Sequence, residues 1–318
     1  MAHPAIEFVE TNGQRFEVWT AGDPASERLA LLLHGFPEHA FSWRHQLPLF
    51  ARLGYRVWAP NQRGYGKSSK PEGVASYRIE ALVADVAGLV AASGARQVTL
   101  VGHDWGGLVA WEYAARRAGP LDQLVILNVP HPARVREELA TNRAQRRRSF
   151  YAVLFQLPWL PEWFFRRGGA AVIGRAFRDM AIDKARFPDE VLAVFRENAL
   201  QPGALTAMLN WYRAAGRHFA RLGTATPIET PTLLLWGEED RALGKETTYG
   251  TERYVKDLTV RYLPRVSHWV QQEAPEAVNE RIEAWLAPRL ATSPAVPGHP
   301  PGEPPRGPAG DGPAREMP

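Results

Sequence analysis

Gly102-His103-Asp104-Trp105-Gly106 sets a carboxylate between glycines at the point where a strand pattern gives way to a helix pattern. The residues before it, Gln97-Val98-Thr99-Leu100-Val101, are apolar and β-branched without alternation, as in a strand buried on both faces of a parallel sheet. Those after it, from Leu108 to Ala115, are rich in Ala and read as a helix. Glycines permit a sharp turn and close helix–strand packing, which exposes the central side chain above the sheet as a nucleophile elbow does. A plain connection with Asp104 as an N-cap is the alternative, but glycines at 102, 106 and 107 exceed what a cap requires. A carboxylate stands where such elbows usually carry serine, and it points to the reaction type.

Three further motifs supply partners for that carboxylate. His34-Gly35-Phe36-Pro37-Glu38 directly follows a buried apolar run, where a loop could bring the Phe36 amide to converge with the Trp105 amide on one oxygen. Gly35 allows close backbone approach, and Phe36-Pro37 is a candidate cis peptide. Trp236-Gly237-Glu238-Glu239-Asp240 offers three adjacent carboxylates after another apolar run; Asp240 is favoured by its spacing from Gly237. Without a downstream histidine this would read as an acidic surface turn. Ser267-His268-Trp269 provides the histidine, and the chain order Asp104, Asp240, His268 is nucleophile, acid, base. His34 and His103 are expected to pack and hydrogen-bond within the loops they belong to.

The elements that must position these residues alternate along the chain. Strand patterns fall at 16–19, 28–33, 55–58, 97–101, 124–127, 232–236 and 259–262, with helical stretches near 41–53, 78–93, 104–118 and 275–288. This is the order of an α/β-hydrolase fold: a mostly parallel, eight-stranded sheet with helices on both faces and a site beyond the strand C-terminal ends. Between Asn128 and Pro231 no buried strand can be read, only helical and aromatic segments. The organisation expected is a core over 1–130 and 231–290, with an inserted helical cap over 131–230. From 291 to 318 Pro, Gly and charge dominate and cannot build a core, so this tail is expected to be disordered.

Composition agrees with one catalytic unit. The chain has 318 residues, 45% of them hydrophobic, with 11 Trp, enough for a sizeable core. Cysteine is absent, which excludes disulfides and thiolate sites. No signal-like segment opens the chain and no apolar run reaches spanning length, so a cytoplasmic protein with no membrane partner is expected. The net charge of +4 raises the question of nucleic acid. Its main basic cluster, Arg143, Arg146, Arg147 and Arg148, occupies one short segment and reads as a solvated helix face. The excess of Arg over Lys suggests a GC-rich bacterial genome.

On these motifs the chain resembles the epoxide hydrolases of the α/β-hydrolase superfamily over roughly residues 5–290. His34-Gly35-Phe36-Pro37-Glu38 and Gly102-His103-Asp104-Trp105-Gly106-Gly107 are similar to that family's two signature motifs. Leu209-Asn210-Trp211-Tyr212-Arg213 and the segment from Tyr151 to Gln156 resemble those that carry its two epoxide-activating tyrosines, which implies Tyr151 and Tyr212. The chemistry implied is attack of Asp104 on an epoxide carbon, with the phenols hydrogen-bonding or protonating the leaving alkoxide. The resulting ester is then hydrolysed by water that His268, oriented by Asp240, activates, while the Phe36 and Trp105 amides hold the oxyanion. No metal or organic cofactor is implied, and the partners are a small epoxide and water. The aromatic residues Phe155, Trp159, Trp163, Phe164 and Phe165 favour an apolar or aromatic epoxide wherever they face the cavity. Haloalkane dehalogenase, with the same elbow and Asp nucleophile, is the competing enzyme, and a phenol pair suits alkoxide better than halide. A ligand-binding member of the fold that has lost turnover is the competing non-enzyme.

Overall fold

The computed structural model describes residues 4–219, 222–223 and 226–292. Its sheet has eight strands: β1 (Ala5–Thr11), β2 (Gln14–Ala21), β3 (Arg28–Leu33), β4 (Arg56–Pro60), β5 (Gln97–His103), β6 (Gln123–Leu127), β7 (Thr232–Gly237) and β8 (Leu258–Leu263). They lie in the order β1-β2-β4-β3-β5-β6-β7-β8. Only the pairings β1–β2 and β2–β4 are antiparallel; the five pairings from β4 to β8 are parallel. The hairpin partner of β2, residues 5–11, went unread in sequence because none of its residues is buried and both faces are largely solvated. Asn12 and Gly13 join the pair, both with φ above zero as a tight hairpin turn demands.

Alternation along the central strands fills two cores. Leu29, Leu31 and Leu33 of β3 face the helices α2 (Ile79–Ser93) and α3 (Asp104–Arg116). Ala30 and Leu32 face α1 (Leu47–Arg52) on the other side, together with α11, the last helix of the described residues (Pro275–Thr292). Both faces being covered, these strands read as continuous apolar runs.

Two helix expectations shift. The stretch 41–53 divides into a 3-10 turn, Ala40–Trp43, and α1, because Pro48 has no N–H and is tolerated only in a first turn. The final helix runs on through Pro288 to Thr292, beyond the expected end at 288. Residues 293–318 of the tail lie outside the described residues.

Between β6 and β7 the chain leaves the sheet as a run of helices: α4 (Pro132–Thr141), α5 (Arg143–Arg148), α6 (Tyr151–Leu154), α7 (Leu160–Met180), α8 (Asp189–Leu200) and α9 (Ala204–Arg217). The helix α7 is interrupted at Arg167–Ala170, where three residues are left-handed. The buried α9 is the hub of this insertion. Its Arg213 guanidinium donates to the carbonyls of Phe155 (3.1 Å) and Leu157 (2.7 Å) and pairs with Glu162 (2.7 Å). Trp211 Nε1 reaches down to the Arg63 carbonyl at 3.1 Å, tying the insertion to the sheet layer. Past α10 (Val270–Glu273), α11 ends the described residues.

Candidate active site

Asp104 is the first residue of α3, directly after β5, with φ of +48°. A non-glycine residue pays for that left-handed conformation, and neighbours hold it there. Gly106 is required by close approach, since a Cβ on it would meet the backbone of Leu33. Gly35 is likewise constrained, because a Cβ there would sit 2.5 Å from the Asp104 Cβ. The elbow is thus pressed against the loop that follows β3.

That loop, with a cis Phe36-Pro37 bond, aims the Phe36 N–H at Asp104 Oδ1 (2.8 Å). The Trp105 amide lies in the first turn of α3, whose N–H groups have no acceptor within the helix. On the other side, His268 Nε2 lies 3.7 Å from Asp104 Oδ2, and its Nδ1 lies 2.6 Å from Asp240 Oδ2. Among the three carboxylates after β7, Asp240 therefore reaches the ring; Glu238 pairs with Lys245 and Glu239 is exposed.

Electrostatics follow from one imidazole between two carboxylates. Burial disfavours a charged His268, but Asp240 and Asp104 outweigh it and raise its pKa to about 10. Burial likewise opposes charge on Asp104; the adjacent His268, with the Phe36 N–H, holds its carboxyl below the ordinary value. Asp240 is saturated with donors: Oδ1 accepts the Ala242 (2.8 Å) and Leu243 (2.9 Å) amides, and Oδ2 accepts Asn128 Nδ2 at 2.8 Å.

Above the carboxylate is a cavity of about 640 Å³ with Asp104 and Trp105 on its floor and Tyr151 and Tyr212 on its wall. The two phenol rings are 6.0 Å apart, and Tyr212 packs edge-on against Trp105 (4.8 Å) and Phe36 (5.1 Å). Gln156 Nε2 donates to the Tyr212 carbonyl at 3.0 Å, which couples the short α6 to α9. Burial first, then the nearby Asp104 charge, push the Tyr151 pKa up; burial and Tyr151 do the same to Tyr212, so both phenols stay protonated.

Residues 31–275 match the family described as the alpha/beta hydrolase fold. The chain is 39% identical over 281 residues to AB hydrolase superfamily protein YfhM of Bacillus subtilis, covering 88% of this chain and 97% of that one. It is 37% identical over 290 residues to Epoxide hydrolase 4 of Mus musculus, covering 87% and 78%. A solved Bacillus megaterium epoxide hydrolase in complex with an inhibitor superposes with a TM-score of 0.81 at 29% identity, covering 88% of this chain and all of that one. The chain belongs to the epoxide hydrolases of the α/β-hydrolase superfamily.

Against that family background, His34 bonds within its own loop and to Gln62, whereas His103, the last residue of β5, bonds to two other loops and not within its own as expected. His34 is fully buried, with Nδ1 3.0 Å from the Gly35 carbonyl and Nε2 accepting the Gln62 amide; burial lowers its pKa to about 4. His103 bridges Glu38 Oε2 (2.7 Å) and the His268 carbonyl (2.9 Å). Glu38 also accepts the Gly35 amide at 2.7 Å, so one buried carboxylate links the Phe36 loop, the elbow and the His268 loop. Sequence reasoning missed this role, and it missed Asn128. The only signal for Asn128 was an Asn just past a buried strand, a residue suited to its left-handed φ of +43°. Of Phe155, Trp159, Trp163, Phe164 and Phe165, whose bearing on the substrate depended on facing the cavity, none lines it. Phe155 and Phe165 pack on each other and on Phe36, while Trp159, Trp163 and Phe164 are exposed. The apolar lining comes instead from residues such as Leu108, Val129, Val135, Phe150 and Phe219.

Proposed function

We propose that this protein hydrolyses an apolar epoxide to a vicinal diol through an ester on Asp104. The observation that carries the reading is a single carboxylate facing two protonated phenols, the buried Tyr212 and the partly buried Tyr151, across one apolar cavity, with an imidazole behind it. Asp104 Oδ2 attacks a ring carbon, and the C–O bond opens toward Tyr151 and Tyr212, which donate to the departing oxygen. The product keeps one new hydroxyl and remains joined to Asp104 as an ester.

Esterification removes the negative charge of Asp104. His268 loses one of the two carboxylates that stabilise its charged form, and its proton passes through solvent to the phenolate left when Tyr151 or Tyr212 protonated the departing oxygen, so that it becomes a base oriented by Asp240. It then takes a proton from water, whose oxygen attacks the ester carbon; the oxyanion forms at Oδ1, where Phe36 N–H already points and Trp105 N–H is available. Cleavage of the bond from that carbon to Oδ2, with the remaining proton of the attacking water passing to Oδ2, releases the diol and leaves Asp104 as a carboxylate beside a protonated His268. The water oxygen stays in the protein, and the first diol carries an oxygen from Asp104. The helical insertion serves as a cap that supplies the phenols and excludes water from the alkylation step.

The dehalogenase alternative is disfavoured by the paired phenols, which match an alkoxide better than a halide. The test is a single turnover of styrene oxide in water labelled with oxygen-18, with mass spectrometry of the diol and of the peptide containing Asp104. Label in the peptide and not in the diol supports the ester route; label in the diol from the first turnover refutes it. Release of halide from 1-bromoalkanes without diol formation would transfer the site to halide chemistry. In His268→Gln an adduct one substrate mass heavier should accumulate.

A further inference from the structure

The helical insertion presents an apolar surface to solvent that the fold itself does not use. Between Phe150 and Phe164 lie eight of the thirteen exposed large apolar side chains among the described residues. Trp159 is 72% exposed, and Val153, Phe150, Trp163 and Phe164 are each more than half exposed. They come from one compact region, because Phe155 packs on Phe165 and Arg213 binds the chain at Phe155, Leu157 and Glu162 together. A monomer rarely leaves so much apolar surface uncovered without a partner.

Charge in the chain segments that flank this surface is predominantly positive, with Glu246 paired to Arg148 at 3.2 Å. Arginines bound it on both sides in the chain, Arg143 to Arg148 before and Arg166 and Arg167 after, all six of them exposed. Glu162 is the one carboxylate from 143 to 167, and Arg213 neutralises it. Among the described residues no carboxylate pairs with Arg143, Arg147, Arg166 or Arg167; the Arg167 guanidinium lies over the Trp163 ring at 4.6 Å. Aromatic and aliphatic side chains flanked by unpaired arginines are the composition of a surface that lies in a lipid interface. A second copy docked two-fold on this face would bring the arginines against each other, which disfavours self-association.

We propose that this face docks on the surface of a bilayer containing anionic lipid. No spanning helix is needed, so the expectation of no membrane partner, which rested on spanning length, does not bear on it. Arg146, Phe150 and Val153 are exposed on this face and also line the cavity, so the mouth of the site lies within the docking surface. A lipid-dissolved epoxide reaches Asp104 without crossing bulk water. That delivery role rests on the reaction proposed above; the docking does not.

The experiment is co-sedimentation of the full chain with large vesicles of phosphatidylcholine alone and of phosphatidylcholine with phosphatidylglycerol. Binding to the anionic vesicles that falls with added salt is expected. In Arg143→Gln/Arg147→Gln it should weaken roughly 25-fold, at about fivefold per arginine. Trp159→Ser/Trp163→Ser should weaken binding as well, with turnover of a water-soluble epoxide unchanged in both variants. Equal sedimentation with neutral and anionic vesicles, or none at low salt, overturns the proposal. A dimer in analytical ultracentrifugation that Trp159→Ser/Trp163→Ser dissolves also overturns it and assigns the face to a second copy. Because vesicle binding is read without turnover, failure of the docking and failure of the reaction are distinguishable.

Discussion

Replacing Asp104 with Asn removes one of the two charges that hold the proton on His268. Burial opposes the imidazolium, yet Asp240 at 2.6 Å and Asp104 at 3.7 Å carry the pKa from 6.5 to about 10. At 3.7 Å, with an effective dielectric constant of about 20, the Asp104–His268 attraction is ~4.5 kcal/mol, about a thousandfold in proton affinity. His268 in Asp104→Asn should therefore titrate near roughly 7, where Asp240 still offsets burial. Asparagine is neutral, as the proposed ester would be, so the variant imitates the state in which the proposed mechanism has His268 act as a base. The assay is an imidazole nitrogen titration by NMR from about pH 5 to 10.5 in both proteins. Stability supplies a second readout. Because the folded pKa is raised, His268 contributes stability that is complete below about 6.5 and lost as pH rises toward about 10. The variant should lose less stability across that interval than the wild type. A wild-type His268 that titrates near 6.5, or a pKa unmoved by Asp104→Asn, would refute the reasoning.

Other perturbations separate roles within the site. Tyr151→Phe and Tyr212→Phe should each slow alkylation about 10- to 100-fold in single-turnover kinetics, and the double variant by ~10³ or more, because each phenol remains a donor alone. Asn128→Ala removes a donor to Asp240 and leaves the Gly237 amide without its acceptor, so urea denaturation should record a loss of about 1–3 kcal/mol, with slower ester hydrolysis. Gly35→Ala forces a Cβ against Asp104; turnover should collapse while the circular dichroism spectrum is retained. Asp85→Ala strands the buried Arg63 guanidinium, now paired at 2.5 Å, and should cost about 3–5 kcal/mol by denaturation while turnover per folded molecule is kept.

Much of this architecture was legible because its signals are local. Strands covered on both faces must be continuously apolar, so β3, β5, β6 and β7 stand out in the sequence, and the glycines at 102, 106 and 107 announce the close approach that exposes Asp104. The order Asp104, Asp240, His268 and the helical gap between β6 and β7 could also be read directly. β1 was hidden because neither of its faces is buried, and Pro48 moved a helix start.

What the amino-acid sequence determined was the kind of group available: a carboxylate at an elbow, a histidine after the last strand, two tyrosines in a helical insertion. Which of Glu238, Glu239 and Asp240 reaches His268 was decided by tertiary structure, through the Asn128 side chain and two loop amides that converge on Asp240. Tertiary packing also turned Trp159, Trp163 and Phe164 outward and gave the cavity wall to Phe150 and Phe219. The reason is physical. Residue type and chain order record what a side chain can do, whereas distance, burial and charge arise only when segments remote in sequence are brought within a few ångströms.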